Sequence, residues 1–118
     1  MTTEQQLKKT CKNIAYELSN PSAWQKQYAK DNELSKENAE NLGAYEWLED
    51  VLDIEYRVGA NKSYRSAEVC VGVGGPNIYV DTDSRTVKGY WGSDRITIPY
   101  QDELGLNDAL EEMWSNIQ

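Results

Sequence analysis

The chain has 118 residues and a formal net charge of −8, enough for one domain that buries a core without disulfide staples. It has no apolar run of membrane-spanning length and no signal-peptide core, so the expected setting is a cytoplasm. Histidine is absent, which removes the commonest general base, the commonest zinc ligand and every His-based triad. No cofactor is expected, and an enzyme is not the expected class.

The first element reads as an amphipathic helix, with Leu7, Cys11, Ile14, Ala15 and Leu18 on one face and Thr2 or Thr3 as cap. The string SNPSAW ends it and starts a second, short helix, with Asn20 as cap and Pro21 in the first turn. Trp24 and Tyr28, four residues apart, mark its buried side. A third helix is expected from about Ser35 to about Leu52, with Leu42, Ala44, Tyr45, Leu48 and Leu52 as its apolar face.

From Ile54 the apolar period changes from 3.6 to 2, since Ile54, Tyr56 and Val58 alternate with Glu55 and Arg57. GANKS then reads as a hairpin loop, followed by a strand with Ala67, Val69, Val71 and Val73 on one side. GGPN breaks the chain, IYVDT resumes it, and DSR turns it into TVKGYW. RITIP is a last short strand. Leu104, Leu106, Leu110, Met113, Trp114 and Ile117 mark a C-terminal helix. The fold class is therefore α+β in a single domain: N-terminal helices, an antiparallel meander of four to five strands and a C-terminal helix.

If Asp83 and Ser84 occupy the hairpin tip, Asp81 faces Thr86, Tyr79 faces Lys88 and Asn77 faces Tyr90. Asn77, Tyr79, Lys88 and Tyr90 then share one sheet face, while Ile78, Val80, Val87 and Trp91 share the other. Gly89 would leave room for the Trp91 ring. In this register GGPN and YWGSD meet at one end of the hairpin. Gly74, Gly75, Pro76, Asn77, Tyr90, Gly92 and Asp94 would form a local cluster there, either as turn architecture or as a docking edge.

Charge is unevenly spread. Residues 1–30 carry five lysines against Glu4 and Glu17, a net of +3, whereas residues 31–55 carry nine acids against Lys36, a net of −8. The acidic segments disfavour direct binding to a phosphate backbone. Glu46, Glu49, Asp50 and Asp53 stand at i, i+3, i+4 and i+7, so on one helix they form a narrow acidic stripe, either a solvated face or a surface for a basic partner. The string DTDS lacks the remainder of a calcium-loop pattern, and GVGGP lacks the Lys-Ser/Thr ending of a phosphate loop, so no metal is expected. Cys11 and Cys70 are expected to be separate and reduced. The aromatic content is eight tyrosines and four tryptophans with no phenylalanine, rings with a polar handle that suit interfaces as well as a half-wet core.

The strings EYRV, GGPNIYVDT and VKGYWGSDR, followed by IP and an acidic terminal helix, resemble a group of small proteins of phages and mobile elements. In that group a Gly-Gly-Pro-Asn-Ile turn and strand precedes a Trp, a Gly or Trp, and an Asp. The matching residues are Gly74 to Thr82, Trp91, Gly92 and Asp94, and the likeness covers roughly residues 51–114. It implies a setting, a phage or mobile-element gene acting in a host bacterial cytoplasm. Small acidic proteins there include inhibitors of host defence nucleases of the anti-CRISPR and anti-restriction kind.

The expected function is thus a non-enzymatic inhibitor that binds a host protein with a basic nucleic-acid-binding surface. Glu46, Glu49, Asp50 and Asp53 would supply charge, with Asn77, Tyr79, Tyr90 and Asp94 as further contacts. The alternative is a phage accessory or structural adaptor that binds another protein through its sheet. Neither reading involves a membrane or a direct nucleic-acid contact.

Overall fold

Thr2 and Gln5 exchange hydrogen bonds: the Gln5 amide donates to Thr2 Oγ1 and the Thr2 amide to Gln5 Oε1. This reciprocal cap starts α1 (Thr3–Ser19) in the computed structural model, which describes residues 2–117. Leu7, Cys11, Ala15 and Leu18 are buried along one face of α1, as their spacing requires. The helix lies on β4 and β5 of the sheet. Gly89 of β4 is what permits this approach. A Cβ there would stand 2.6 Å from Cys11 Sγ and 2.7 Å from Leu7 Cδ1, so the missing side chain makes room for α1 rather than for Trp91.

Asn20 ends α1 more than it starts α2 (Pro21–Asp31). Its amide side chain donates back to the Tyr16 carbonyl at 3.4 Å, and no side-chain bond caps α2. Trp24 and Tyr28 are half-buried, with ring centroids 5.4 Å apart.

The single helix expected across residues 35–52 is broken in two. Ser35 caps a five-residue α3 (Lys36–Glu40), and the chain reopens at Gly43, whose backbone is extended at φ −141° and ψ −160°. Glu46 Oε2 accepts the Gly43 amide at 3.0 Å, which starts α4 (Ala44–Trp47). A 3-10 turn (Leu48–Asp50) follows. The break lets Ala39 pack with α2 while Ala44, Trp47 and Leu48 reach the main core. Leu52 lies outside this core, at 57% exposure.

Five strands then form one antiparallel meander, ordered β1-β2-β3-β4-β5. They are β1 (Asp53–Val58), β2 (Tyr64–Gly72), β3 (Asn77–Asp81), β4 (Thr86–Trp91) and β5 (Asp94–Pro99). The β3–β4 register is the one read from the sequence, with Asn77 opposite Tyr90, Tyr79 opposite Lys88 and Asp81 opposite Thr86. Val73, expected to continue the apolar side of β2, stands beyond the strand and is exposed. A register shift between Cys70 and Gly72 ends the alternation there.

Asp102 caps α5 (Leu106–Ile117) with three bonds, accepting the amides of Gly105, Leu106 and Asn107. Leu106, Ala109 and Leu110 of α5 join the α1 face and Trp47 over Ala67, Val69, Ile78, Val80 and Val87. Alternation along the strands sends these residues to one side of the sheet. The helices therefore cover one sheet face, as an α+β meander of this order requires, and the other face stays open. Among the described residues no helix is long and apolar enough to cross a membrane.

Candidate functional site

The helical break redistributes the acidic stripe. Glu46 lies on α4, Glu49 and Asp50 on the 3-10 turn, and Asp53 is the first residue of β1. Glu46 is turned back onto the Gly43 amide, and Glu49 Oε2 accepts the Tyr28 hydroxyl at 2.8 Å. The Tyr28 phenol is raised by this bond, then by burial and by the charges of Glu49, Glu46 and Asp50. Those three acids therefore still act on one spot of the helical layer. Asp53 does not belong with them, because its strand position pairs it with Cys70 on the open sheet face.

The α5 acids extend the same layer. Tyr45 of α4 meets Glu112 of α5, whose hydrogen bond raises the Tyr45 phenol, and a hollow of about 240 Å³ between the two helices is bordered by Asp108 and Glu112. Glu49, Asp50, Asp108, Glu111 and Glu112 are all exposed. Among the described residues, no acid of segment 31–50 or of α5 forms an ion pair.

The ion pairs gather instead on the open sheet face. Glu55, Glu68 and Asp81 stand side by side on β1, β2 and β3, an arrangement of like charges that is unfavourable alone. Arg57 and Lys88 offset it. Arg57 reaches Asp81 Oδ1 at 3.1 Å and Glu68 Oε2 at 3.2 Å, while Lys88 reaches Asp81 Oδ2 at 3.0 Å. The Asp83 and Ser84 amides also donate to Asp81 Oδ1. Burial pushes the Asp81 carboxyl up, but the bonds from Arg57, Lys88 and these amides outweigh it and hold it well below the usual carboxylate range. The same bonds to Asp81 raise Arg57 and Lys88 against the opposing pull of burial.

Beside this network, Tyr79 and Tyr90 make an edge-to-face pair at 6.1 Å, and the Arg95 guanidinium stands 6.0 Å from the Tyr90 ring centroid. Asn77 shares that face, with its Oδ1 accepting the Gly74 amide at 3.1 Å. Asp94 does not. It pairs with Trp91 and accepts the Thr3 hydroxyl at 3.1 Å, which places it towards the start of α1. The cluster expected from GGPN and YWGSD is therefore split. Asn77, Tyr79 and Tyr90 lie on the open face, and Asp94 ties the β4–β5 turn to the helical layer.

Residues distant in sequence add what the sequence reading did not single out. Arg57 of β1 and Glu68 of β2 complete the network around Asp81 of β3 and Lys88 of β4. Glu17 of α1 lies at 3.4 Å from the Trp47 indole N–H. The flank of the α1 apolar stripe was the signal for Glu17: it stands one residue before Leu18 and three residues after Ile14, yet it is a carboxylate. A separate hollow of about 410 Å³, lined by Ser19, Asn20, Pro99, Tyr100 and Gln101, brings together no carboxylate and no cation. Among the described residues no group of three or more His, Cys, Asp or Glu is placed to hold a metal ion.

No protein-family model, curated protein or solved structure matches this chain.

Proposed function

We propose that this chain is a non-enzymatic binding protein whose acidic helical layer engages a partner with a basic, nucleic-acid-binding surface. The setting implied by the phage-type strings makes a host defence protein the partner class. One observation carries the reading: among the described residues, the exposed acids of the 44–50 segment and of α5 share a layer with no ion pair of their own, whereas the paired charges lie on the opposite face. Like charges held together and left uncompensated raise the local negative potential, which speeds encounter with a basic surface and disfavours nucleic acid itself. Glu49, Asp50, Asp108, Glu111 and Glu112 supply the field. Glu46 contributes charge while serving as a local cap.

The test is retention of partners from a bacterial lysate at low and high salt, followed by competition with duplex DNA. A retained nucleic-acid-binding protein should be displaced by DNA. The variant Asp108→Asn/Glu111→Gln/Glu112→Gln should bind it roughly tenfold or more slowly at low salt, with a flatter salt dependence. Retention that ignores both DNA and the triple substitution would reject the reading.

A second reading places an adaptor contact on the open sheet face. The Tyr79–Tyr90 pair favours it, since tyrosines on an uncovered face suit a drier contact. Tyr79→Ala/Tyr90→Ala should then abolish retention that the triple substitution leaves intact.

A further inference from the structure

The helical layer also carries a groove in which tryptophan rings and carboxylates face the same space. Two hollows of about 250 and 260 Å³ share Glu17 and Trp24 as a common wall. Tyr16 lines the first, while Trp47 and Asp50 line the second over Ile14 and Val51. α1, α2, α4 and the end of the 3-10 turn thus each contribute an aromatic or acidic group.

The polar groups are under-used. An ionised carboxylate accepts about four hydrogen bonds, yet among the described residues Glu17 accepts only the long contact from the Trp47 indole at 3.4 Å. Burial raises the Glu17 carboxyl, opposed only by that bond. Neither Glu17 nor Asp50 is ion-paired among the described residues. Indole faces attract cations, and a planar guanidinium can lie on an indole while its N–H groups reach flanking carboxylates. An ammonium is more strongly hydrated and offers no flat face, so it gains less here.

We infer that this groove receives an arginine side chain of the partner protein, stacked on Trp24 and held by Glu17 and Asp50. The inference rests on the reading above that the partner is basic, and it names the residue the partner presents. The Tyr28 ring lies 5.4 Å from that of Trp24, and its hydroxyl binds Glu49.

The test uses the full chain, ¹⁵N-labelled, with its four indole N–H signals assigned by single Trp→Phe substitutions. The probes are the peptide Ac-Gly-Arg-Gly-Arg-Gly-NH₂ and its citrulline and lysine counterparts. Expected are saturable shifts of the Trp24 and Trp47 signals with the arginine peptide, none with citrulline, and several-fold weaker binding with lysine. Glu17→Gln should weaken the arginine peptide about fivefold or more while all four signals keep their dispersion, and Trp24→Leu should do the same without loss of fold. Unmoved Trp24 and Trp47 signals, an equal response to citrulline, lysine binding as tight as arginine, or an unchanged Glu17→Gln titration would each overturn the inference. Asp108, Glu111 and Glu112 lie outside the groove, so their triple variant separates the two ideas. If it loses the partner while the arginine titration fails, the groove alone falls. If it keeps the partner while the titration succeeds, the acidic-layer reading alone falls.

Discussion

Replacing Asp81 with Asn removes the acceptor on which the open-face network converges. Asp81 accepts from Arg57 on both oxygens at 3.1 and 3.2 Å, from Lys88 at 3.0 Å, and from the Asp83 and Ser84 amides at 2.9 and 3.3 Å. Its side chain is 5% exposed, whereas those of Arg57 and Lys88 are 37% and 29% exposed. In Asp81→Asn one oxygen still serves the two turn amides, but an N–H₂ group then faces both Lys88 and Arg57 in place of Oδ2. Two charge-assisted bonds are lost, each worth about 1.5–3 kcal/mol when fully shielded. Both cations regain water and keep Glu68, which discounts the sum to about 2–3 kcal/mol. For a domain of this size that is a fall in Tm of about 8–15 °C.

Urea unfolding followed by tryptophan fluorescence, with an unchanged m-value, measures the loss. The pH dependence has a definite sign. Asp81 is depressed in the folded state, so its contribution is complete above its unfolded pKa of about 3.9 and is lost as pH falls through the lower folded value. The gap between wild type and Asp81→Asn should therefore be constant from pH 7 to 5 and narrow steadily from pH 5 to 2.5. A loss under about 0.5 kcal/mol, or a gap that stays flat to pH 2.5, would refute this account of the network.

Gly89→Ala should destabilise the chain by about 2–3 kcal/mol, because its Cβ would overlap Cys11 and Leu7 and push α1 off the sheet; denaturant titration checks this, and a neutral substitution would contradict the packing of α1 on β4. The buried Cys11 thiol is pushed up to about 11 by burial, so it should resist a thiol reagent at pH 8 in the folded protein. Unfolding without reductant should release two titratable thiols, and a count of zero would demonstrate a disulfide.

Much of the fold was legible because its elements carry clean periodicities. Leu7, Cys11, Ala15 and Leu18 announce one helix face, and Ile78, Val80 and Val87 announce one sheet face. Placing Asp83 and Ser84 at the turn between β3 and β4 gave the pairing of Asn77, Tyr79 and Asp81 that the structure shows, although a slip by one residue would have reversed the faces. Local pattern was less informative across residues 41–43, where one glycine and a side-chain cap from Glu46 divide a stretch whose apolar spacing would also suit one continuous helix. With that break the four-acid stripe dissolves, and Asp53 passes to the sheet.

The chain order therefore determined the class of fold and the uneven distribution of charge, and it offered the hairpin register once the turn was placed at Asp83 and Ser84. Only the tertiary structure decided which charges are answered. Lys88 meets Asp81 from the neighbouring strand β4, and Arg57 reaches it from β1 across β2, although Arg57 is 24 residues away. Glu17 and Trp47 are 30 residues apart and meet because α1 and α4 cover the same sheet face. Asp94 points away from Asn77 and Tyr90 because a strand sends successive side chains to opposite faces, and its place in the pleat is that of Trp91.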